Sequence, residues 1–273
     1  MTIQYNHEET ERWRQQLDAS LRTETGWLAL AGLFWLNEGP NSVGSDSNCD
    51  VALPTGKAAA HVATLMRQGS TITLLPERDS GVRVNGVAAT EQILKDDVPG
   101  PADQIELGDL SFIVIKRGER YGIRLWDRNH VQRTSFAGRR WYPVREELCV
   151  SGRFTPHEPP RPIEITNILG DVEEMQAAGS VEFVLAGQQH RLEALSTKGE
   201  QLFFILRDTS SGQSTYGMGR FLISDAPQDG LVTLDFNRAY NPPCAFTAFA
   251  TCPMPPRENH LPIAIEAGEL APK

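Results

Sequence analysis

Apolar positions near the start of the chain follow a helical period. Trp13, Leu17 and Leu21 recur at helical spacing, and Asn6 followed by Glu9 has the form of a capping box. This predicts one amphipathic helix that buries its stripe on a β core. Glu11, Arg12, Arg14 and Asp18 fill the other positions, as a solvated face requires. After Gly26 the helical period is lost. WLALAGLFWLNEGP is a buried apolar stretch, and Asp50 to Leu53 forms a short strand. HVATLM, TITLLP, GVRVNG, SFIVIKR and YGIRLW then follow as short runs separated by Gly, Pro, Asp and Asn. Many short strands at such spacing predict a sandwich or barrel.

From Asn129 to about Pro162 there is no period. Pro156, His157, Pro159, Pro160 and Pro162 make this stretch read as a crossing connection. Strands resume at IEITNIL, VEFVLAG, HRLEAL, QLFFILRD, TYGMGRFLIS, LVTLDFN and LPIAIEA, while EEMQAA reads as a helical turn or two. The expected organisation is mainly β. An N-terminal helix (1–25) clamps a β domain at 26–128 against a second β sandwich or barrel at 129–273.

Composition narrows the function classes. A chain of 273 residues is long enough for one large domain or two of ordinary size, and two are expected. The net charge of -9, with Arg139, Arg140 and Arg145 as the one basic cluster, argues against nucleic acid as partner. No apolar run approaches the roughly 20 residues that span a bilayer. The segment MTIQYNHEET is acidic and polar where a signal peptide is basic and then apolar. The expected location is the cytoplasm, with no membrane partner. Gly-x-Ser-x-Gly, His-Glu-x-x-His and a Gly-rich loop between strand and helix are all missing. The scarcity of helices argues against dinucleotide and nucleoside-triphosphate folds, and no cofactor is expected.

Candidate chemistry concentrates near the C-terminus. In LVTLDFN, alternation puts Val232, Leu234 and Phe236 on one face and Thr233, Asp235 and Asn237 on the other. Asp and Asn are poor strand residues, so Asp235 and Asn237 are expected to be held by a partner, with Arg220, Arg257 and Glu258 as candidates. Two readings are open. In one, Asn241 and Asn259 tie down loops that Pro242, Pro243, Pro253, Pro255 and Pro256 stiffen. In the other, the same residues floor a pocket for a small polar or anionic molecule. There Arg220, Asn237, Asn241, Arg257, Asn259 and Tyr216 bind, and Asp235 and Glu258 are the candidate catalytic acids or bases. Cys244, Cys252 and His260 recur every eight residues. If AFTAFATC is a straight strand, the two cysteines lie about 27 Å apart at about 3.4 Å per residue. Unless a sharp bend brings the pair together, no metal site or disulfide is expected, and the scattered Cys49 and Cys149 do not make a disulfide framework.

The stretch from Val43 to Gly86 resembles the forkhead-associated domain, a phosphothreonine-binding β sandwich. The matching residues are Val43 and Gly44 in the first turn, Asn48 to Leu53 as a strand entry and His61 before a strand. Val84, Asn85 and Gly86 match its hairpin, and Leu107, Gly108 and Asp109 precede a late strand. That family binds phosphate with an Arg after the first-turn Gly and a Ser three residues before the His. Here Ser45 and Ala58 stand there, so no guanidinium fork is available and a phosphopeptide partner is not expected. His61 reads as a core histidine bonded to loop backbone.

Longer motifs carry a second resemblance. GWLALAGLFWLNEG, TYGMGRFL, LDFNRAYNPPCAF and ATCPMPPRENHL make the whole chain resemble a bacterial and archaeal family known as domain of unknown function 1684. The resemblance implies a shared fold and brings no established activity to carry over. The competing function class is a non-enzymatic protein-interaction module built on the forkhead-associated-like half.

Overall fold

The computed structural model describes residues 5–197 and 199–272. Strands make up 45% of the fold and helix 13%, so it is mainly β, with an N-terminal helix and several sheets that include a half-barrel. Two compact units are present, one of Ser20–Phe136 and one of Met1–Ala19 with Ala137–Lys273. No helix among the described residues is long and apolar enough to cross a membrane.

The chain opens with helix α1 (His7–Leu21). The unit of residues 20–136 contains β1 (Leu30–Trp35), β2 (Gly39–Gly44), β3 (Val51–Ala52), β4 (Ala63–Gln68), β5 (Thr71–Pro76) and β6 (Arg83–Val84). It continues with β7 (Val87–Ala88), β8 (Gln92–Leu94), β9 (Ile105–Leu107), β10 (Leu110–Arg117), β11 (Arg120–Asp127) and the short helix α2 (Val131–Ser135). Its two sheets have the orders β1-β11-β10-β9-β6-β7 and β3-β2-β4-β5-β8. Alternate residues of each turn inward. Val43, Leu65 and Leu74 from one sheet and Phe112, Ile123 and Leu125 from the other are buried in a single core.

Local chemistry explains the corners of this sandwich. The β6–β7 hairpin turns at Asn85 (φ 51°) and Gly86 (φ 78°), the left-handed pair that a two-residue hairpin needs. Gly44 has no room for a side chain, because a Cβ there would lie 1.8 Å from the Ala60 carbonyl oxygen. Ser45 is tied into its own loop, its hydroxyl donating to Ala58 O at 2.8 Å. His61 differs from expectation. Its ring is exposed and its Nδ1 meets Cys49 Sγ at 3.5 Å, while the adjacent Val62 takes the inward position.

In the other unit the first turns of α1 dock on the C-terminal residues. Asn6 caps the helix by accepting the Glu9 N–H at 3.1 Å. The Glu9 carboxylate does not complete the capping box and pairs instead with Arg238 at 2.8 Å. Trp13 meets Trp141 and Tyr240 edge-on. Arg14 is not on the solvated face. It is 7% exposed, stacks on Trp141 and donates to Asn237 O at 3.2 Å, because it shares the buried stripe with Thr10 and Trp13.

The sheet of this unit is built from β12 (Cys149–Thr166), β13 (Val172–Leu185), β14 (Gln188–Ser196), β15 (Leu202–Leu206), β16 (Arg220–Ser224) and β17 (Leu231–Asp235). All pairs are antiparallel, in the order β16-β15-β14-β13-β12-β17. Three expectations are corrected. The proline-rich stretch is not a connection but part of the 18-residue β12. It can be, because β17 pairs only with Cys149–Arg153, and the prolines beyond lie at a bulge or along an edge without a strand partner, where a missing N–H costs little. EEMQAA is strand within β13, its pairing with β12 overriding the local helix preference. LPIAIEA is irregular rather than a strand, yet its Leu261, Ile265 and Ala267 complete the core beneath Leu192, Phe204 and Phe236.

Candidate functional site

A bulge in β12 creates the most unusual polar cluster of the C-terminal unit. Pairing with β13 runs to Pro156↔Gly179 and resumes at Arg161↔Ala177, so four residues of β12 are looped out across a two-residue step of its partner. The bulge brings His157 and Arg161 to Glu193 of β14. His157 Nε2 lies 2.9 Å and Arg161 Nη2 3.1 Å from Glu193 Oε2, and Arg191 Nη2 lies 2.8 Å from Oε1.

Glu193 is 2% exposed, so its charge depends on these partners. Burial pushes its carboxyl up, but hydrogen bonds from His157 and Arg161 and the charges of Arg161 and Arg191 outweigh it, leaving the group below the usual carboxylate range. A carboxyl lowered on folding stabilises the protein above the unfolded titration range and loses that contribution as pH falls through its folded value. Glu193→Gln is therefore expected to flatten the acid-side fall in melting temperature. A slope identical to wild type between neutrality and pH about 3 would show that another group controls it.

The same carboxylate strand is held from behind by Asn259. β14 and β15 pair only at Leu195↔Phe203 and Ser196↔Leu202 and then part. The Asn259 amide fills the gap, accepting the Glu193 N–H at 2.7 Å and donating to Glu193 O and Ile205 O at 3.0 Å each. Pro256 precedes a single 3-10 turn at Arg257–Asn259, which buries Asn259 and leaves Arg257 and Glu258 exposed.

Between β12 and this turn lies a cleft of about 520 Å³, within the range of small-molecule sites. Arg161 and Glu164 line one side, Arg257 and Glu258 the other, and Ile163 and Met254 supply apolar surface. Arg257 and Glu258 make no side-chain hydrogen bond or ion pair with another described residue. The cleft thus presents charges of both signs, and its Arg161 is braced by a buried carboxylate.

Comparisons with other proteins bear on this geometry. A family model described as a protein of unknown function, DUF1684, matches residues 134–270. The chain belongs to the DUF1684 family. It is similar to an uncharacterised protein of Haloarcula marismortui solved by solution NMR, with 30% identity, 51% of this chain and 79% of that chain covered, and a TM-score of 0.43. A domain from a study of phosphothreonine-dependent FHA domain interactions aligns at 20% identity over 34% of this chain and 92% of that chain, with a TM-score of 0.25. No curated protein matches the chain.

In this DUF1684 protein the sequence-predicted site residues fall into five places. Arg257 and Glu258 rim the cleft and Asn259 supports it. Asp235 and Asn237 sit instead beside α1. Asp235 ends β17 and caps the next turn, accepting the Asn237 N–H at 3.1 Å. Its other oxygen takes the Tyr5 hydroxyl at 3.0 Å and Arg238 at 3.3 Å. Burial and the Asp235 charge push the Tyr5 phenol up to about 12, so it stays a donor. Asn237 is bonded to both the N–H and the carbonyl of Arg145 at 2.9 Å.

Arg220 does not pair with Asp235. It is wholly buried and binds Asp208 at 2.8 Å, together with the carbonyls of Ile265 and Ala267. Asn241 lies near Glu269, whose side chain accepts the Asn241 N–H at 2.8 Å and pairs with Arg139. Burial pushes the Glu269 carboxyl up to about 7 against the pull of Arg139. Tyr216 donates to Cys244 O at 3.0 Å. Its neighbour Gly219 (φ 95°) could carry no side chain, since a Cβ would lie 2.5 Å from Pro255 Cγ.

The DUF1684 sequence had not pointed to His157, Arg161, Arg191 or Glu193. In HRLEAL the alternation of Leu192 and Ala194 with Arg191 and Glu193 looks like a solvated outer face. The density of prolines around a lone histidine was the available signal, and without a period it read as a connection.

Proposed function

We propose that this protein binds a small polar molecule bearing a carboxylate or phosphate, in the cleft between β12 and residues 254–258. The observation that carries this reading is Arg161. Glu193 holds one of its terminal nitrogens while the residue lines the cleft, which pre-orients a guanidinium fork towards an incoming anion. Arg257 supplies the second cation. Glu258 and Glu164 meet a hydroxyl or ammonium group of the same ligand, and Glu258 is the carboxylate placed for any proton transfer. No cofactor enters this reading.

The test is a thermal-shift screen against small carboxylates and phosphates, with isothermal titration of any hit. A ligand at about 100 times its dissociation constant adds about 2.7 kcal/mol to stability. Arg257→Ala, at an exposed position, is expected to keep the unliganded melting temperature and to lose most of that increment. A hit that stabilises Arg257→Ala and Arg161→Ala as fully as wild type would place binding elsewhere. A second reading, a protein-interaction module in residues 20–136, is favoured by Val87 and Ile93. They are 69% and 67% exposed on the edge strands β7 and β8. A screen with no hit would turn the search to that surface.

A further inference from the structure

Cys244 and Cys252 are in contact, in spite of the separation a straight strand would impose. Pro242 leads into a 3-10 turn at Pro243–Ala245, and residues 246–251 fold back instead of extending. The Cys244 N–H donates to Cys252 Sγ at 3.2 Å, which seats the Cys252 sulfur against residue 244. The surrounding backbone is anchored independently on each side. Cys252 O accepts the Ile168 N–H at 2.9 Å, and Cys244 O accepts the Tyr216 hydroxyl at 3.0 Å. His260 is not part of the group, because its ring is exposed and turned to Pro255 O. Among the described residues no three His, Cys, Asp or Glu side chains converge as metal ligands, and no disulfide is formed.

The two sulfurs differ in access. Cys252 is 6% exposed, whereas Cys244 is only partly buried. Their surroundings also separate Cys244 from the other half-buried cysteine of this unit. The hydrogen bond from Cys252, against burial and with help from Tyr216, brings the Cys244 thiol down to about 7. Burial and the Asp235 carboxylate push Cys149 up to about 12. A thiol that ionises near neutrality, partly open to solvent and touching a second thiol, has the arrangement of an attacking and a resolving cysteine.

We propose that Cys244 and Cys252 form a reactive dithiol that a hydroperoxide converts to an intramolecular disulfide. The Cys244 thiolate attacks the outer peroxide oxygen. A sulfur–oxygen bond forms, the oxygen–oxygen bond breaks, and the departing hydroxide or alkoxide takes a proton to leave as water or alcohol. Cys244, oxidised by two electrons, is now a sulfenic acid. The Cys252 thiol gives up its proton and its sulfur displaces the hydroxyl, so that the disulfide forms and water leaves. Each turnover reduces one hydroperoxide and consumes both thiols.

The experiment is oxidation of the full chain with hydrogen peroxide at one equivalent, read by intact mass and peptide mapping. Wild type is expected to lose two hydrogens, with a peptide cross-linked between positions 244 and 252. Cys149→Ser should behave in the same way. Cys252→Ser should stop at one added oxygen on Cys244, trapped by a sulfenate-specific reagent, and Cys244→Ser should leave Cys252 unmodified. Oxygen addition without cross-linking in wild type, a bridge that uses Cys49 or Cys149, or no reaction would each overturn the proposal. The wild-type result decides it even if a variant fails to fold.

Discussion

Asp208→Ala is expected to cost about 3–5 kcal/mol of unfolding free energy. Arg220 is fully buried, and Asp208 is the carboxylate that neutralises it at 2.8 Å. The same side chain accepts the Ser210 N–H at 2.9 Å and the Ile265 N–H at 3.2 Å, so it joins β15, β16 and the irregular segment beyond Leu261. Removing it strands a cation in a fully buried site. The pair need not be net stabilising, since apolar replacement of both partners is often neutral or better. Arg220→Met combined with Asp208→Ala should therefore be more stable than Asp208→Ala alone. Urea unfolding of the three proteins measures this. A cost below about 1 kcal/mol for Asp208→Ala, or a double variant no better than the single, would show that the charge is relieved in some other way.

Asn259→Ala should be the next most damaging change, at about 3 kcal/mol. Three backbone groups lose their partner at once, each unsatisfied group costing about 1–3 kcal/mol with incomplete additivity. The site is 0% exposed, so water does not readily replace the amide. The effect should be local as well as global. Hydrogen exchange at the Glu193 amide is expected to accelerate beyond what the loss of global stability explains, because β14 and β15 have no ladder bond of their own there. Exchange that tracks global unfolding alone would mean the gap closes without Asn259. Since Glu193 braces Arg161, the same variant should also weaken any ligand held in the cleft.

Asp235 and Asn237 show how a residue unsuited to a strand can report structure rather than chemistry. Their poor strand propensity has a local cause, because β17 ends at Asp235 and the carboxylate caps the turn that follows. Each of the two side chains is committed to several partners around α1 and Arg145. Arg257 and Glu258, by contrast, make no side-chain hydrogen bond or ion pair with another described residue, which leaves them available to a ligand in the cleft.

The features legible from the sequence alone are those set by neighbours along the chain. Period-2 alternation located most strands, Asn6 marked the start of α1, and Asn85-Gly86 specified a hairpin, because each follows from backbone geometry within a few residues. The family resemblance rested on long continuous motifs and was equally readable. Partner choice was not. Alternation says which face a side chain takes but not which distant strand will cover it, so Arg220 met Asp208 instead of Asp235, and Glu193 was buried by a bulge formed more than thirty residues earlier. In aperiodic stretches even the face was undetermined. The proline-rich run became strand because β13 was there to pair with it, and Cys244 and Cys252 came together because turns replaced the strand between them. Only long-range pairing, which has no local signature, decides such contacts.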